Sequence, residues 1–545
     1  MMDIIKFAYT VFTVISVFFS SLFCPGTLLE PSENLDISFL EYPAEAITTL
    51  EQAGLTEKEF TERLSAKLPE YVQSGGHEDV GGVIVSPYYT AKIGDIDIPV
   101  YASTVFIRNE DTGTLHSFSE VYVDPDEDFS FNIELKSGSV RLMNAIVLPS
   151  THGVETVTRR GTVKASINKT GIYTFLFNGA QQRYGYTLFV REKIDEEAEI
   201  ADYVSEYGAE NVTVFENGVH EIDYLNFVNK SNQIIYLKQG AYLIANHHYD
   251  INSVEDEAKW IEDGAFEDNA IWLTRYPFMN FYRSENIVLT GRGAIDLTRL
   301  DRRERRGVVF NYCNNISVSS IKIINSPEWS FITYCCKNLT VEQVDIFGCR
   351  GNADGFAICN TENALITDCF VRTADDEFEV KALGGEMGSN NITFANCVAW
   401  GGYARCFGIC GEVSNPITNV TFCDSAVIYR DGVWDNDRIG SLVVVAEQCD
   451  GSVDGVLFEN IEIFRDEGRP ILVKIYDEEK ENFEMNNIVY KNITCTSYMP
   501  SKIDGNASDT NTVQVKLENV TANGDLLTKT GRNLEVGKFC EVTFE

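Results

Sequence analysis

Three aspartates stand out in the middle of the 545-residue chain. Asp354 lies in the stretch Gly351-Asn-Ala-Asp-Gly-Phe356, and Asp375 and Asp376 follow 21 and 22 residues later. Carboxyl groups held close together raise one another's proton affinity, so one can stay protonated near neutral pH while another is ionised. Glycoside hydrolysis requires this division, because an acid protonates the leaving oxygen and a base activates water.

A sequence repeat indicates how these aspartates are positioned. An asparagine followed by an aliphatic or β-branched triplet recurs at intervals of 29, 23, 25, 28 and 28 residues. Such a period with short strands and no intervening helices predicts a parallel β-helix, whose turns suit asparagine. Equivalent positions on successive coils lie about 4.8 Å apart, so Asp354 should lie beside Asp375 and Asp376. The repeating asparagines are Asn286, Asn315, Asn338, Asn363, Asn391 and Asn419.

Neighbouring coils also allow the geometry of an inverting hydrolase. Such enzymes leave about 6.5–9.5 Å between the acid and the base, which makes room for the attacking water. Carboxylates on adjacent coils can reach that separation without direct contact.

The chain divides into four predicted regions. Residues 1–30 are predicted to form a signal peptide or anchor, and residues 31–79 a helical lead-in. Residues 80–195 consist of short β segments separated by turn residues, which is typical of a β-sandwich. Residues 196–545 form the β-helical catalytic domain, and an acidic helical stretch that begins at Ile194 marks the boundary. The predicted fold class is therefore all-β.

The net charge and the N-terminal apolar stretch limit the classes of binding partner. The formal net charge of −38 opposes binding to nucleic acids and to other polyanions. The apolar stretch Phe7 to Phe23 predicts a secreted or cell-surface protein, with no membrane association beyond a possible anchor. If the start of the chain is misassigned, a cytoplasmic protein is the alternative. Oligomeric state and endo or exo action stay open.

The cysteines are predicted to be structural. Twelve of the fourteen lie between Cys313 and Cys495, at similar points of the repeat, which favours buried and mostly free thiols. Zinc is disfavoured because there is no CxxC pair and no histidine after His248. We therefore expect no metal and no cofactor, although a calcium requirement stays open.

The motifs around the aspartates resemble a known family. Asn352-Ala-Asp-Gly and Ala374-Asp-Asp-Glu-Phe-Glu-Val-Lys381 resemble signatures of family 28 glycoside hydrolases, the polygalacturonases, as do Gly291–Asp296 and Asn325–Trp329. The resemblance implies a right-handed, single-stranded parallel β-helix and inverting hydrolysis. It also implies that Asp375 is the general acid and that Asp354 and Asp376 hold the water.

Two departures from that family bear on the substrate. Arg405 stands where the family has a histidine, and Arg438-Ile-Gly440 lacks the lysine that would bind a uronate carboxylate. A site for galacturonate needs cationic donors. The sequence therefore favours a neutral glycan, and the predicted sandwich before the β-helix resembles family 49 dextranases. A pectin hydrolase, a non-catalytic polysaccharide-binding β-helix and a β-helical lyase or epimerase are the alternatives.

Several residues near the aspartates are predicted to contact the polysaccharide or oligosaccharide substrate, with core or loop packing as the alternative. The run Arg302 to Arg306 is predicted to be a solvated loop. The predicted substrate-binding residues are Lys381, Arg405, Arg438, Trp400, Tyr403 and Trp434, with Tyr429 as a further aromatic candidate.

Overall fold

The computed structural model describes most of the chain in two compact units. One is built mainly from residues 84–103 and 115–194, and the other mainly from residues 195–545. The described residues are 36–47, 82–107, 112–124, 128–136, 142–179, 182–246, 277–385, 387–402, 404–432, 435–477, 480–506 and 508–545.

The first unit contains two sheets. A seven-stranded sheet has the order β2-β5-β6-β12-β11-β8 with β1 paired to β6, and a five-stranded sheet has the order β4-β3-β7-β10-β9. Phe131 and Phe175, from opposite sheets, pack with ring centroids 5.3 Å apart, which confirms a β-sandwich. Its strands are β1 (Ser38–Phe39), β2 (Val83–Val85), β3 (Tyr89–Ile93), β4 (Ile96–Ile98), β5 (Tyr101–Ile107), β6 (Thr112–Val123), β7 (Phe129–Leu135), β8 (Ala145–Leu148), β9 (Thr156–Arg159), β10 (Thr162–Ile167), β11 (Gly171–Phe177) and β12 (Tyr186–Glu192).

The predicted boundary helix is present as α1 (Glu196–Tyr207). Asp195 caps it, because its side chain accepts a hydrogen bond from the Ala198 N–H at 3.1 Å. Three glutamates in the first turn favour the positive end of the helix dipole. Short 3₁₀ segments occur at Ser150–His152, Gln182–Tyr184 and Ala209–Asn211.

The second unit is a parallel β-helix, as predicted. A 21-stranded sheet and an 11-stranded sheet alternate along the coils, and each coil pairs in parallel with the next; of the strands described in this unit, only β42 pairs antiparallel, with β41. The strands are β13 (Val212–Phe215), β14 (Gly218–Ile222), β15 (Leu225–Val228), β16 (Ile234–Leu237), β17 (Ala241–Ala245), β18 (Pro277–Tyr282), β19 (Glu285–Gly291), β20 (Ala294–Asp296), β21 (Arg306–Asn311), β22 (Asn314–Ser319), β23 (Lys322–Ile324), β24 (Phe331–Tyr334), β25 (Lys337–Glu342), β26 (Asp345–Phe347), β27 (Phe356–Cys359), β28 (Glu362–Thr367), β29 (Phe370–Arg372), β30 (Phe378–Ala382), β31 (Ser389–Ala395), β32 (Val398–Ala399), β33 (Phe407–Val413), β34 (Ile417–Cys423), β35 (Ala426–Val427), β36 (Leu442–Cys449), β37 (Val453–Asp466), β38 (Ile471–Ile475), β39 (Glu484–Ser497), β40 (Ser501–Asp504), β41 (Thr512–Ala522), β42 (Asp525–Leu526), β43 (Leu534–Val536) and β44 (Glu541–Phe544).

The asparagine repeat forms a ladder at one turn of the coil. Asn363 has a left-handed φ of 60°, and all six repeating asparagines share this conformation. The Asn391 amide donates to Asn363 Oδ1 at 2.8 Å, and the Asn363 amide donates to Asn338 Oδ1 at 3.1 Å. The asparagines therefore both shape the turn and bond one coil to the next.

The core runs along the inside of the coils. Inward side chains stack on their equivalents, for example Phe378 on Phe407 with ring centroids 4.8 Å apart. The thirteen described cysteines are all free and ten of them are buried, which confirms the prediction of packed thiols.

Some predictions fall outside the described residues. The predicted signal peptide or anchor at 1–30 and most of the predicted helical lead-in are among them. Residues 36–47 of that lead-in are described, and they contain the strand Ser38–Phe39 and a turn at 44–46 instead of a helix. Within the described part of the chain, none of the helices is long and apolar enough to span a membrane.

Candidate active site

The aspartates lie in stacked loops that lead into the 11-stranded sheet. We call residues 348–355, 373–377, 400–406 and 428–441 the turn row; they precede β27, β30, β33 and β36. The strands pair in register, with Phe356 opposite Phe378 and Phe378 opposite Phe407. Successive loops are therefore stacked one coil apart.

The structure brings the three predicted catalytic aspartates together. Asp354, Asp375 and Asp376 each contribute an oxygen within 4.8 Å of the others. Asp354 and Asp376 are only 3% exposed, whereas Asp375 is partly exposed. The oxygens are closer than the 6.5–9.5 Å that the sequence analysis anticipated between acid and base.

Backbone groups fix the orientation of the Asp375 carboxylate. The Asn352 N–H donates to Asp375 Oδ2 at 2.9 Å, and the Asp376 N–H donates to Asp375 Oδ1 at 3.0 Å. Asn352 has a left-handed φ of 65°, which turns its N–H toward the neighbouring coil. The loop that carries Asp354 therefore also positions Asp375.

The surroundings of the cluster favour a protonated carboxyl. Burial, together with the neighbouring Asp376 carboxylate, raises the pKa of Asp375 to about 6. Burial and the Asp375 carboxylate raise the pKa of Asp354 well above its ordinary value. A carboxyl group that keeps its proton near neutral pH can act as a general acid.

Arg405 is a partner of Asp376, and its contact with the substrate stays a prediction. Its backbone N–H and Nη1 donate to the two oxygens of Asp376 at 3.0 and 2.8 Å. Its Nη2 donates to Glu447 and its Nε to the Arg438 carbonyl. The guanidinium thus places a positive charge against one catalytic carboxylate.

Lys381 is likewise buried and paired, and its role in substrate binding stays a prediction. Its ammonium lies 3.0 Å from Glu379, 3.3 Å from Glu412 and 4.5 Å from the centroid of the Trp329 ring. Burial and nearby carboxylates raise the pKa of Glu379 well above its ordinary value. Glu379 was not among the predicted site residues, although alternation in β30 places it on the outer face with Lys381.

Arg438 remains accessible. Its side chain is 31% exposed, lies 3.7 Å from Glu447 and stacks over the Tyr476 ring at 3.9 Å. Substrate binding by Arg438 stays a prediction.

The described aromatic candidates are packing residues. Trp400 is 1% exposed and the Arg372 guanidinium covers its ring at 3.8 Å. Tyr429 is also buried, and its hydroxyl donates to Glu467. Trp400 and Tyr429 therefore pack as the alternative prediction states, and stacking on sugars stays a prediction; Tyr403 and Trp434 lie outside the described residues.

The arginine run is not the solvated loop that its composition predicted. Arg305 and Arg306 are buried. Arg302 Nη2 and Arg303 Nη2 both donate to the side-chain oxygen of Asn352, at 2.9 and 2.6 Å. The run therefore reaches the turn row directly beside Asp354, which spacing along the sequence could not reveal.

Among the residues that the structure describes, two groups of side chains have donor atoms close enough together to share a metal ion. They are the three aspartates and the set Asp376, Glu379 and Cys410, each within 4.8 Å. Lys381 and Arg405 already supply positive charge to the carboxylates of these groups. The arrangement can therefore carry out acid–base chemistry on carboxylates that are neutralised by side chains.

Comparison with known proteins agrees with this geometry. The family model described as glycosyl hydrolases family 28 matches residues 291–540, which include the whole turn row. A polygalacturonase from Arabidopsis thaliana is 27% identical over 210 residues, which is 35% of this chain and 44% of the relative. One from Juniperus ashei is 24% identical over 285 residues, or 47% of this chain and 54% of the relative. The chain thus spans about half the length of these curated relatives.

Among solved structures, the protein is similar to Dex49A from Penicillium minioluteum. The TM-score is 0.50 at 11% identity, and the match covers 85% of this chain and 96% of Dex49A. This likeness supports the β-helical fold. The resemblances to families 28 and 49 are both confirmed.

Proposed function

We propose that the protein is a glycoside hydrolase of the pectin-degrading type, acting on a galacturonan or a decorated variant of it. The observation that carries this proposal is the cluster of Asp354, Asp375 and Asp376 inside the family 28 match. The polygalacturonase relatives support a uronate-containing substrate. The preference for a neutral glycan that the sequence analysis stated becomes the second candidate.

The proposed reaction is a single displacement. Protonated Asp375 donates its proton to the glycosidic oxygen as the bond to the anomeric carbon breaks. Water held between Asp354 and Asp376 attacks that carbon from the opposite face and gives its proton to Asp376. Transfer of the extra proton from Asp376 to solvent, and of a solvent proton to Asp375, restores the enzyme.

The stereochemistry of the product tests this assignment. Inversion at the anomeric carbon, observed by proton NMR within the first turnovers, is the expected result. The short separation of the carboxyl oxygens would also suit a double displacement through a covalent intermediate. Retention of configuration would therefore replace the single displacement with that route.

A neutral glycan is favoured by one specific observation. Lys381, Arg405 and Arg438 each lie within ion-pair distance of a carboxylate. Cations that are already neutralised bind a uronate carboxylate weakly. Location outside the cell or on its surface fits either polysaccharide and belongs to the same proposal.

A substrate panel separates the candidates. Reducing-sugar release is measured from polygalacturonate, rhamnogalacturonan, dextran and pullulan, with the wild type and with Asp375→Asn. Release from either pectic substrate that depends on Asp375 supports the proposal, and release from dextran or pullulan alone favours the neutral glycan. Unsaturated products that absorb in the ultraviolet would indicate a lyase, and no release from any of the four would favour a non-catalytic binding module.

A further inference from the structure

We propose that Arg302 and Arg303 form a carboxylate-binding subsite for an acidic sugar, on the side of the catalytic aspartates that faces the preceding coils. The inference rests on the proposed function and names the substrate class of that same site: a polysaccharide with free uronic acid groups. Under this proposal, the uronate carboxylate is bound by residues outside Arg438-Ile-Gly440, the motif that lacks a lysine.

The arginine pair lies against the loop that carries Asp354. Both guanidiniums converge on the side-chain oxygen of Asn352, and Arg302 Nε also donates to the Gly351 carbonyl at 3.2 Å. The Asn352 N–H in turn donates to Asp375 at 2.9 Å. Asn352 therefore contacts both the arginine pair and the proposed general acid.

The positive charge of the arginine pair also favours an acidic ligand. Among the residues that the structure describes, neither Arg302 nor Arg303 has a carboxylate oxygen within 4.0 Å. Six other cations around the turn row have an acidic partner, namely Lys381, Arg405, Arg438, Arg469, Lys474 and Lys502. Two adjacent guanidiniums without an anion repel each other, so an incoming carboxylate is stabilised there. In a protein of net charge −38 this pair is a local exception.

The arginine pair is accessible to a ligand. Arg303 is exposed and Arg302 is partly exposed. The three hydrogen bonds leave more than half of the guanidinium N–H groups for a ligand. A guanidinium presents these donors in a planar fork that matches a carboxylate.

The turn that carries the pair holds it in place. Arg303 has a left-handed φ of 64°, and its N–H donates to the Pro327 carbonyl at 2.8 Å. The Asp301 N–H donates to Glu304 Oε2 at 2.6 Å across the same turn. A non-glycine residue held in this conformation is a cost that functional sites accept.

The test compares the double variant Arg302→Gln/Arg303→Gln with the matched control Arg299→Gln. Arg299 lies in the same segment, but it is paired with Glu221 at 2.9 Å. Calorimetric binding of trigalacturonate and of its methyl ester is measured in an Asp375→Asn background, so that neither ligand is consumed. Hydrolysis of polygalacturonate and of its methyl ester is measured with Asp375 intact. Thermal unfolding confirms that each variant is folded, and if the double variant is not, Arg303→Gln alone replaces it because Arg303 is exposed.

The expected result is a loss of about ten- to hundredfold in affinity for the free acid, with little change for the ester, and only in the arginine variants. Unchanged affinity of those variants for the acid would overturn the subsite, even if the wild type hydrolyses polygalacturonate. Loss of binding in a protein that hydrolyses nothing would support the subsite and refute the hydrolase. Hydrolysis of neutral glycans alone, with no binding of trigalacturonate, would overturn both the subsite and the acidic substrate.

Discussion

At the scale of single residues, the three aspartates are distinguished by their neighbours. Asp375 receives only backbone N–H donors from the described residues, whereas Asp376 is paired with the Arg405 guanidinium. Burial and the Asp376 carboxylate raise the pKa of Asp375 to about 6, so this carboxyl group can hold a proton near neutral pH. The neighbours therefore support Asp375 as the acid and Asp376 as the base.

Replacing the acid tests this assignment. Asp375→Asn should lower kcat about 10²- to 10⁴-fold, because the amide cannot protonate the leaving oxygen. The melting temperature should stay within about 4 °C of the wild type, since the side chain keeps its shape. Asp525→Asn, at an exposed position in β42, is the control. Wild-type turnover by Asp375→Asn would refute the role of this residue.

The pH dependence of activity belongs to the same residue. Because Asp375 has a pKa of about 6 and must carry its proton, kcat/KM should fall as the pH rises above about 6. The measurement is kcat/KM between pH 4 and pH 8 at constant ionic strength. A flat profile from pH 5 to pH 8 would show that another group supplies the proton.

Part of the site could be predicted from residue types, and the rest depends on contacts that only the structure shows. The acid pair and Asp354 follow from residue type and a spacing of one coil. Arg405 and Lys381 were found as cations, but their contacts with Asp376 and Glu379 depend on how coils pack. Trp400 was predicted to stack on a sugar, but in the structure the Arg372 guanidinium covers its ring.

At the scale of elements, the turn row is held by a fully buried ion pair. Arg430 donates to Asp466 through Nε at 2.9 Å and Nη2 at 2.5 Å. Ser441 Oγ and the Gly468 N–H also donate to the same carboxylate, at 2.5 and 2.6 Å. Asp466 therefore ties together loops from two successive coils beside the site.

Removing this carboxylate should destabilise the β-helix. Asp466→Asn leaves Arg430 as a buried charge without its partner, and a loss of about 3–5 kcal/mol in the free energy of unfolding is expected. Urea denaturation gives the value. The control is Asp450→Asn, whose side chain is 78% exposed and pairs only with Lys480. A change below about 1 kcal/mol would mean that the loops are held by their backbone bonds alone.

These elements could be predicted from the sequence because of the asparagine repeat. The asparagine spacing predicted the coils, and the left-handed φ angles of Asn286 and Asn419 confirm why asparagine recurs. The loops of the turn row are less regular, since their length varies from 373–377 to 428–441. Their contacts come from neighbouring coils and not from their own sequence.

At the scale of the whole molecule, acidic charge is both abundant and partly buried. The net charge is −38 and the sequence pI is about 4.5. Burial is the largest cause that raises the pKa of Asp354, Glu377 and Glu379 well above their ordinary values. Both features oppose the folded state at alkaline pH.

The protein should therefore be more stable in mildly acidic solution. A carboxyl group with a raised folded-state pKa contributes stability below its unfolded pKa near 4, and this contribution is lost as the pH rises through the folded value. For Asp375 the window is from about pH 4 to about pH 6. Lowering the pH from 8 to 5 should raise the melting temperature on the order of 5 °C. A higher melting temperature at pH 8 than at pH 5 would contradict this balance.

The sequence by itself determined the architecture and the meeting of the three aspartates. A repeat of 23–29 residues with short strands and no intervening helices predicts stacked coils, and two motifs one coil apart then meet on one face. It did not determine which cations remain available to a substrate. That depends on packing, because Lys381 and Arg405 are neutralised by carboxylates from strands and neighbouring coils. Arg302 and Arg303 reach Asn352 from about 50 residues away along the chain, across two coils, a contact that only the tertiary structure creates.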